Sequence, residues 1–519
     1  MSGVQIILVD GTSGIAPGSV EGAGIVTGIC SKGEPGKAYI IGKDSKIDQT
    51  LGIGPLADSV NDVIKSGGQK PVVIAVPVEP ISGGESEITT PNQIIVTAPD
   101  GTKGTLDVYL DGLEPLVVFP LSGTSIKSSK IYMHFTKGGG PSQVSGDSGD
   151  SVSGDDGDDV VDAVSNRNVA IYRLTFNECL TWTEPKTVPE DGIVQIGDTG
   201  ISAIIPETPL IVDDSWYEIN TTAAEQSIVE VMNSIEDVLE RYDVEFVYIV
   251  GKSNKIDWRV MGAKADELWN KHRPTFFIAE TRLPDTENNE DIDGWCDAML
   301  TEKLGFAHPF VCACAAFGNT TDNYGNIVSR NMAGFLAGRI ISIPVQRAIG
   351  RTRDGGITSI ELPESFTSVH QQTLEDAGYI TAKRYANLQS VYWGADKTLA
   401  EITSDYQFVR VLRVIFKAVR LARIQALKSI YDEAGDPLQE GGAAGLNFLK
   451  SNIENALGTM TSSVPVEMAG FDVSIPDGQD IVNNGVAVNM KLIGIPVIKE
   501  IVIYASYYYA GSTFDPRIS

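Results

Sequence analysis

Cysteine is scarce in this chain. Cys30, Cys179, Cys296, Cys312 and Cys314 are five in 519 residues, odd in number and without regular spacing. A disulfide framework is not expected, and the usage fits a protein made in a reducing cytoplasm. Long apolar runs are missing too. No uninterrupted stretch reaches the ~18 residues of a membrane span, and no basic segment leads into an apolar one at the N-terminus. Neither a transmembrane helix nor a secretory signal is therefore expected, and direct membrane insertion is not. Cations are outnumbered: 40 lysines and arginines against 68 acids leave a net charge of −28. A general nucleic-acid binder needs clustered cations, so nucleic acid is not an expected partner. The charge suits solubility instead. What remains is ordinary globular composition, 42% hydrophobic and 21% charged, in a chain long enough for several domains.

Recognisable chemistry is also lacking. The histidines, His134, His272, His308 and His370, lie far apart, and none stands in an H-E-x-x-H arrangement. VGKSNK at 250–255 imitates a P-loop, but the glycine needed five residues before Gly251 is Phe246. LGIGPLADSV at 51–60 lacks the third glycine of a dinucleotide fingerprint, and a turn with Pro55 near a helix start explains it better. Cys312 and Cys314 fall in an apolar strand and read as buried structural thiols, one on each face, rather than as metal ligands. No G-x-S-x-G elbow occurs. The carboxylates are too numerous to single out a pair. No catalytic residue, cofactor or metal is nominated.

Residues 25–80 read as strand, strand, helix, strand. From about 222 a β/α alternation resumes. Thr222 and Glu225 form a capping-box pattern ahead of Ile228, Val231, Ile235 and Val238. Strands follow at 245–250, 275–280 and 309–316, with helices near 257–272 and 289–304 between them and a longer one at 329–349. Short apolar strands alternating with helices imply a mostly parallel sheet covered on both faces. Residues 88–219 break this rhythm with Thr, Gly, Pro and Asp and with alternating strands such as GTLDVYLDG. They read as a β-rich insertion. Within it the acidic run at 138–159 is compositionally a disordered loop, and its spacing does not fit a calcium loop.

One helix stands apart. YQFVRVLRVIFKAVRLARIQALKSIY, residues 406–431, holds six cations and no acid. At 100° per residue Arg410, Arg413, Lys417, Arg420 and Lys428 fall within about 80° of arc, on a helix otherwise mostly apolar. A solvated face would mix acids among the bases, so this stripe is expected to face an acidic partner or an acidic neighbouring domain. The chain also carries strand-like sequence near both ends. VQIILVD (4–10) supplies Val4, Ile6 and Leu8. VAVNMKLI puts Val486, Val488, Met490 and Leu492 on one face, and IVIYA (501–505), with Ile501 and Ile503, is apolar on both. Unpaired, such edges aggregate; paired with other subunits, they become specific strand addition.

EDAGYITAKRYANLQSVYWGADKTLA (375–400) and SDYQFVRVLRVIFKAVRLARIQAL (404–427) together resemble the contractile tail sheath proteins of myoviruses and related injection machines. LGIGPLADSVNDVIKSGGQKPVVIAVPV (51–78) is similar to the sheath N-terminal region. ITTPNQIIVTAPDGTKGTLDVYL and LTFNECLTWTEPKTVP resemble the insertion of the Mu-like branch. Asp396-Lys397 departs from the arginine often seen there, and 138–165 has no counterpart. The resemblance implies an α/β and α+β multidomain tail-sheath fold. Its expected parts are an N-terminal arm (1–20), a discontinuous α/β domain (21–87 plus 220–354), a β-rich outer insertion (88–219) with a disordered acidic loop (138–165), and a C-terminal sheath domain (355–519) with inter-subunit strands.

The same resemblance implies a non-enzymatic subunit that polymerises helically around an inner tail tube and contracts to drive the tube through a bacterial envelope. The expected partners are further copies of the chain, the tube protein, the baseplate and the tail terminator. The expected place is a virion tail assembled in the host cytoplasm, or the sheath of a headless injection particle. The basic stripe becomes a tube-facing candidate. A cell-surface adhesin module and an α/β enzyme of scattered active site are the competing classes.

Overall fold

The computed structural model describes residues 20–79 and 226–510, apart from 31, 53, 70, 286–287, 322–326, 358 and 437–442, together with 512, 513 and 517; between 93 and 221 it describes the strands alone. The arm residues Val4, Ile6 and Leu8 and the loop 138–165 lie outside the described residues.

The chain begins its first sheet with β1 (Gly24–Gly28), β2 (Tyr39–Gly42) and β3 (Val72–Pro77), with α1 (Ile47–Thr50) and α2 (Pro55–Ser66) between the last two. The insertion then supplies β4 (Gln93–Thr97), β5 (Lys103–Tyr109), β6 (Lys130–Lys137), β7 (Arg167–Thr175), β8 (Glu178–Thr181), β9 (Lys186–Thr187), β10 (Ile193–Ile196), β11 (Ile201–Ile204) and β12 (Ser215–Thr221). These nine pair antiparallel in the order β10-β11-β4-β5-β12-β6-β7-β8, with β9 also on β7. So 88–219, expected to be β-rich, contains a sheet of its own.

After α3 (Ile228–Arg241) the chain returns to the first sheet. β13 (Phe246–Lys252), α4 (Lys255–Asn270), β14 (Phe276–Glu280), α5 (Ile292–Lys303) and β15 (Val311–Cys314) complete it in the order β15-β14-β13-β1-β3-β2. All neighbours are parallel except β2 on β3. Both faces are covered. Phe246, Tyr248, Phe276 and Ile278 point into a layer with α2 and with Phe335, Leu336 and Ile340 of α6 (Ala333–Ser342). Val247, Ile249, Phe277 and Ala313 point the other way, onto α3, α4, α5 and α7 (Ser368–Ala377). Cys312 and Cys314, expected on opposite faces, share the first layer. Strand residues two apart point the same way, and burial pushes both thiols up.

Three further expectations are corrected. Helix α3 starts only at Ile228 and is capped by Ser227, whose hydroxyl accepts from the Val229 N–H, while the expected box residues Thr222 and Glu225 lie outside the described residues. The helix expected over 329–349 is instead two elements: β17 (Ile327–Asn331), paired with β16 (Phe317–Thr321), and then α6. The boundary at 355 disappears as well. Ile357, Ile380, Trp393, Val409 and Phe416 share one buried cluster with Val26 and Phe246. This part holds β18 (Ile360–Glu361), beside β16, and the pair β19 (Ala382–Arg384) and β20 (Val391–Trp393). The chain separates into two units at 420/421, inside α8 (Val409–Lys428).

Candidate assembly surfaces

The stripe on α8 comprises Arg410, Arg413, Lys417, Arg420 and Lys428. Within the first unit the structure turns most of it inward. Arg413 is 2% exposed and forks onto Glu245, Nε to Oε1 at 2.7 Å and Nη2 to Oε2 at 3.1 Å. Its Nη1 donates to the Ile343 carbonyl at 3.2 Å, and Glu245 also accepts from the Gly22 N–H at 2.6 Å. Arg420 donates to the carbonyls of Val244 and Pro274 and lies 3.3 Å from Asp243. Arg410 pairs with buried Asp396, which also accepts the Arg410 N–H at 2.9 Å. Burial holds the Asp396 carboxyl above its usual range although Arg410 pulls it down.

The tube-facing assignment is therefore corrected for Arg410, Arg413 and Arg420. Arg413 is bonded through all three guanidinium nitrogens to its own chain and has no edge left for a partner, Arg420 is buried, and Arg410 is engaged by the buried Asp396 and lies over the Phe408 ring. The acidic field that balances the stripe is present, but inside the molecule. It comes from Asp243 and Glu245 just before β13 and from Asp396 just after β20. Lys417 is half-buried, while Lys428 is exposed and donates to Gln425 at 3.1 Å.

The second unit is built on α9 (Ala444–Ser462). Ile453, Ala456, Leu457 and Met460 are its buried positions, at helical spacing, and β21 (Gly470–Ser474) packs against this helix. After α10 (Ile481–Asn484), β22 (Asn489–Ile493) pairs antiparallel with β21, Val473 opposite Met490 and Phe471 opposite Leu492. Val486, Val488, Met490 and Leu492 are half-buried, whereas Ala487, Asn489, Lys491 and Ile493 are exposed. The two-residue alternation read from sequence is the one observed.

Residues 494–509 then run without helix or strand. Ile501 is 74%, Ile503 82% and Tyr504 92% exposed, and Val502, Tyr507 and Tyr509 are exposed with them. Sequence reasoning singled out Ile501 and Ile503 but missed the three tyrosines at 507–509, whose clustering was visible in the sequence.

Fold and surfaces together define a multidomain α/β protein with a β-rich insertion and an uncovered apolar segment near its C-terminus. The chain belongs to the DUF2586 family, whose N-terminal domain matches residues 1–397 and whose C-terminal domain matches 405–512. Over 175 residues it is 26% identical to the provisionally named tail sheath protein of Haemophilus phage HP1 (strain HP1c1). That match covers 31% of this chain and 43% of the phage protein, so the chain spans less than half the length of the curated relative it matches. Among solved structures it is similar to the sheath tail protein of Desulfitobacterium hafniense, with 13% identity, 95% of this chain and 100% of that one covered, and a TM-score of 0.46. It is also similar to the sheath tail protein of Listeria innocua, with 10% identity, 92% and 96% covered, and a TM-score of 0.42.

Proposed function

We propose that this chain is the structural subunit of a contractile tail sheath. It polymerises helically around an inner tail tube and contracts to drive that tube through a bacterial envelope, in a virion tail or a headless injection particle. The observation that carries the reading is the exposed apolar segment at 494–509, in a chain with sequence similarity to a phage tail sheath protein. Branched and aromatic side chains on both faces of an extended segment demand cover and hydrogen-bonding neighbours. A strand added to another copy supplies both. Because donor and acceptor surfaces differ, the contact is head-to-tail and propagates as a helix.

In this reading the chain is not an enzyme, and its partners are other copies, the tube, the baseplate and the tail terminator. Assembly takes place in the bacterial cytoplasm. The arm residues Val4, Ile6 and Leu8 join the same strand network. Lys428 keeps the tube-facing role that the buried arginines lose, and the insertion lies on the outside of the polymer. Negative-stain microscopy of the purified chain tests the reading. Hollow, helically striated tubes are expected, and particles that stay discrete at all concentrations and salt conditions would sink it.

A further inference from the structure

A crevice of about 480 Å³ opens outside the carboxyl ends of β13 and β14. In a parallel sheet this is the end at which ligands settle, because the chain reversals there leave backbone and side chains unpacked. Its position is separate from the stripe arginines, whose partners Asp243 and Glu245 lie at the amino end of β13.

Acids outnumber bases around it. Arg330 is shared between Asp58 at 3.5 Å and Asp62 at 3.2 Å, and Arg282 is held by Glu290. Glu280 and Asp285 add two more carboxyl groups, and Lys252 is the remaining lining cation. The Tyr248 hydroxyl donates to Glu280 and lies 3.2 Å from Ser59 Oγ. Pro55, Val250, Leu283 and Pro284 make the rest of the wall apolar.

We propose that this crevice binds an organic cation, an alkylammonium or guanidinium group seated on Glu280 and Asp62 with its stem along the apolar wall. Among the described residues no cluster is arranged to hold a metal ion, and the volume is that of a side chain or small molecule. Burial holds Asp62 above its usual range and pushes Glu280 up to about 7, against the opposing pull of Arg330. A positive guest favours the ionised carboxylate, so its arrival releases a proton near neutral pH. The guest is either a free amine or a lysine or arginine of a second copy. Only the second source rests on the sheath reading.

The probe is 1,4-diaminobutane, with 1,4-butanediol as the neutral control, titrated calorimetrically into the full chain. Saturable binding of the diamine alone is expected, about tenfold tighter at pH 8 than at pH 6, as the ionised fraction of a group near 7 dictates. Proton release at pH 7 should disappear in Glu280→Gln, with circular dichroism confirming its fold. The pH profile of the unaltered chain stands by itself if the variant misfolds. If the diamine does not bind, a second-copy guest requires polymer assembly to tighten between pH 6 and 8 and to lose that dependence in Glu280→Gln. Tubes that fail to form beside a diamine that binds would discard the sheath and keep the site. If the diamine does not bind and assembly shows no dependence on pH, the site is overturned.

Discussion

Glu245 and Arg413 show how a charge pattern is read correctly in sign and wrongly in place. Six cations on one helix without an acid do require a complementary field. Asp396 lies 14 residues from Arg410, but the acids that meet Arg413 and Arg420 lie far away, Glu245 and Arg413 being separated by 168, and nothing local in either of those segments links them. Because both members are buried, removing one leaves the other as an uncompensated charge. Arg413→Leu should cost about 3–5 kcal/mol in urea denaturation, and the double change with Glu245→Leu should recover part of that loss. The recovery stops short because the Gly22 N–H then loses its acceptor. A single variant within ~1 kcal/mol of the parent would show the pair to be energetically idle. Glu280 behaves in the opposite sense. Its folded value of about 7 lies above the ordinary 4.5, so the native state holds the proton more tightly than the unfolded chain. The stability it contributes is complete below pH 4.5 and is lost as pH rises through 7. Glu280→Gln, which keeps an acceptor for Tyr248, should therefore melt with the parent near pH 4.5 and above it at pH 8. Equal melting temperatures at both would contradict the buried, protonated carboxyl.

At the scale of elements, much of the body was legible because its helices and strands have clean periods. The run EFVYIV became β13, the alternation through 245–316 became a parallel sheet, and α4 and α5 fell close to their expected places. The misses have local causes. SRNMAGFLAGRI has a helical pattern from its apolar residues, but its first residues pair with β16 because an open strand edge outweighs propensity. The candidate surface divided the same way. Alternation in β22 is a one-strand property and was legible, whereas the burial of the stripe depends on tertiary partners and was not. Close packing of α6 on α2 was also invisible, since glycine in a helix reads as a weakness. A Cβ at Gly338 would lie 2.5 Å from the Val63 carbonyl oxygen and 2.0 Å from Ser66 Oγ. The backbone cannot yield as a side chain can, so Gly338→Ala should cost about 1–3 kcal/mol. Gly458, inside α9, has no atom within 4 Å of the same construction. Gly458→Ala should stabilise its helix by about 0.5–1 kcal/mol. Chemical denaturation of the two variants decides, and equal effects would refute the packing argument.

For the whole molecule the question is why a chain with two well-packed layers leaves a largely apolar stretch, residues 494–509, in water. The first unit is held by buried clusters of its own. Its core is complete through Phe416. The second unit closes its small sheet at Ile493, where the Ala469 N–H donates to the Ile493 carbonyl at 2.8 Å. Beyond that bond the run from Ile495 to Tyr509 has side chains suited to a covered strand. Retaining them exposed is a hazard unless a neighbour covers them. On the proposed sheath reading folding and assembly are separable: burial within the units sustains the fold, and strand addition would join the copies. Deleting residues 498–509 removes the proposed joining segment, all of it exposed, and leaves the buried clusters intact. The truncated chain should stay soluble, keep the circular dichroism and melting temperature of the parent, and form no tubes. Mixed with the full-length chain it should shorten the tubes, because a copy that can accept a strand but not donate one ends the chain of contacts. Tubes of normal length from the truncated protein alone would mean that the segment is not the joining strand. A truncation that melts well below the parent would mean that 498–509 serves the fold of its own subunit instead.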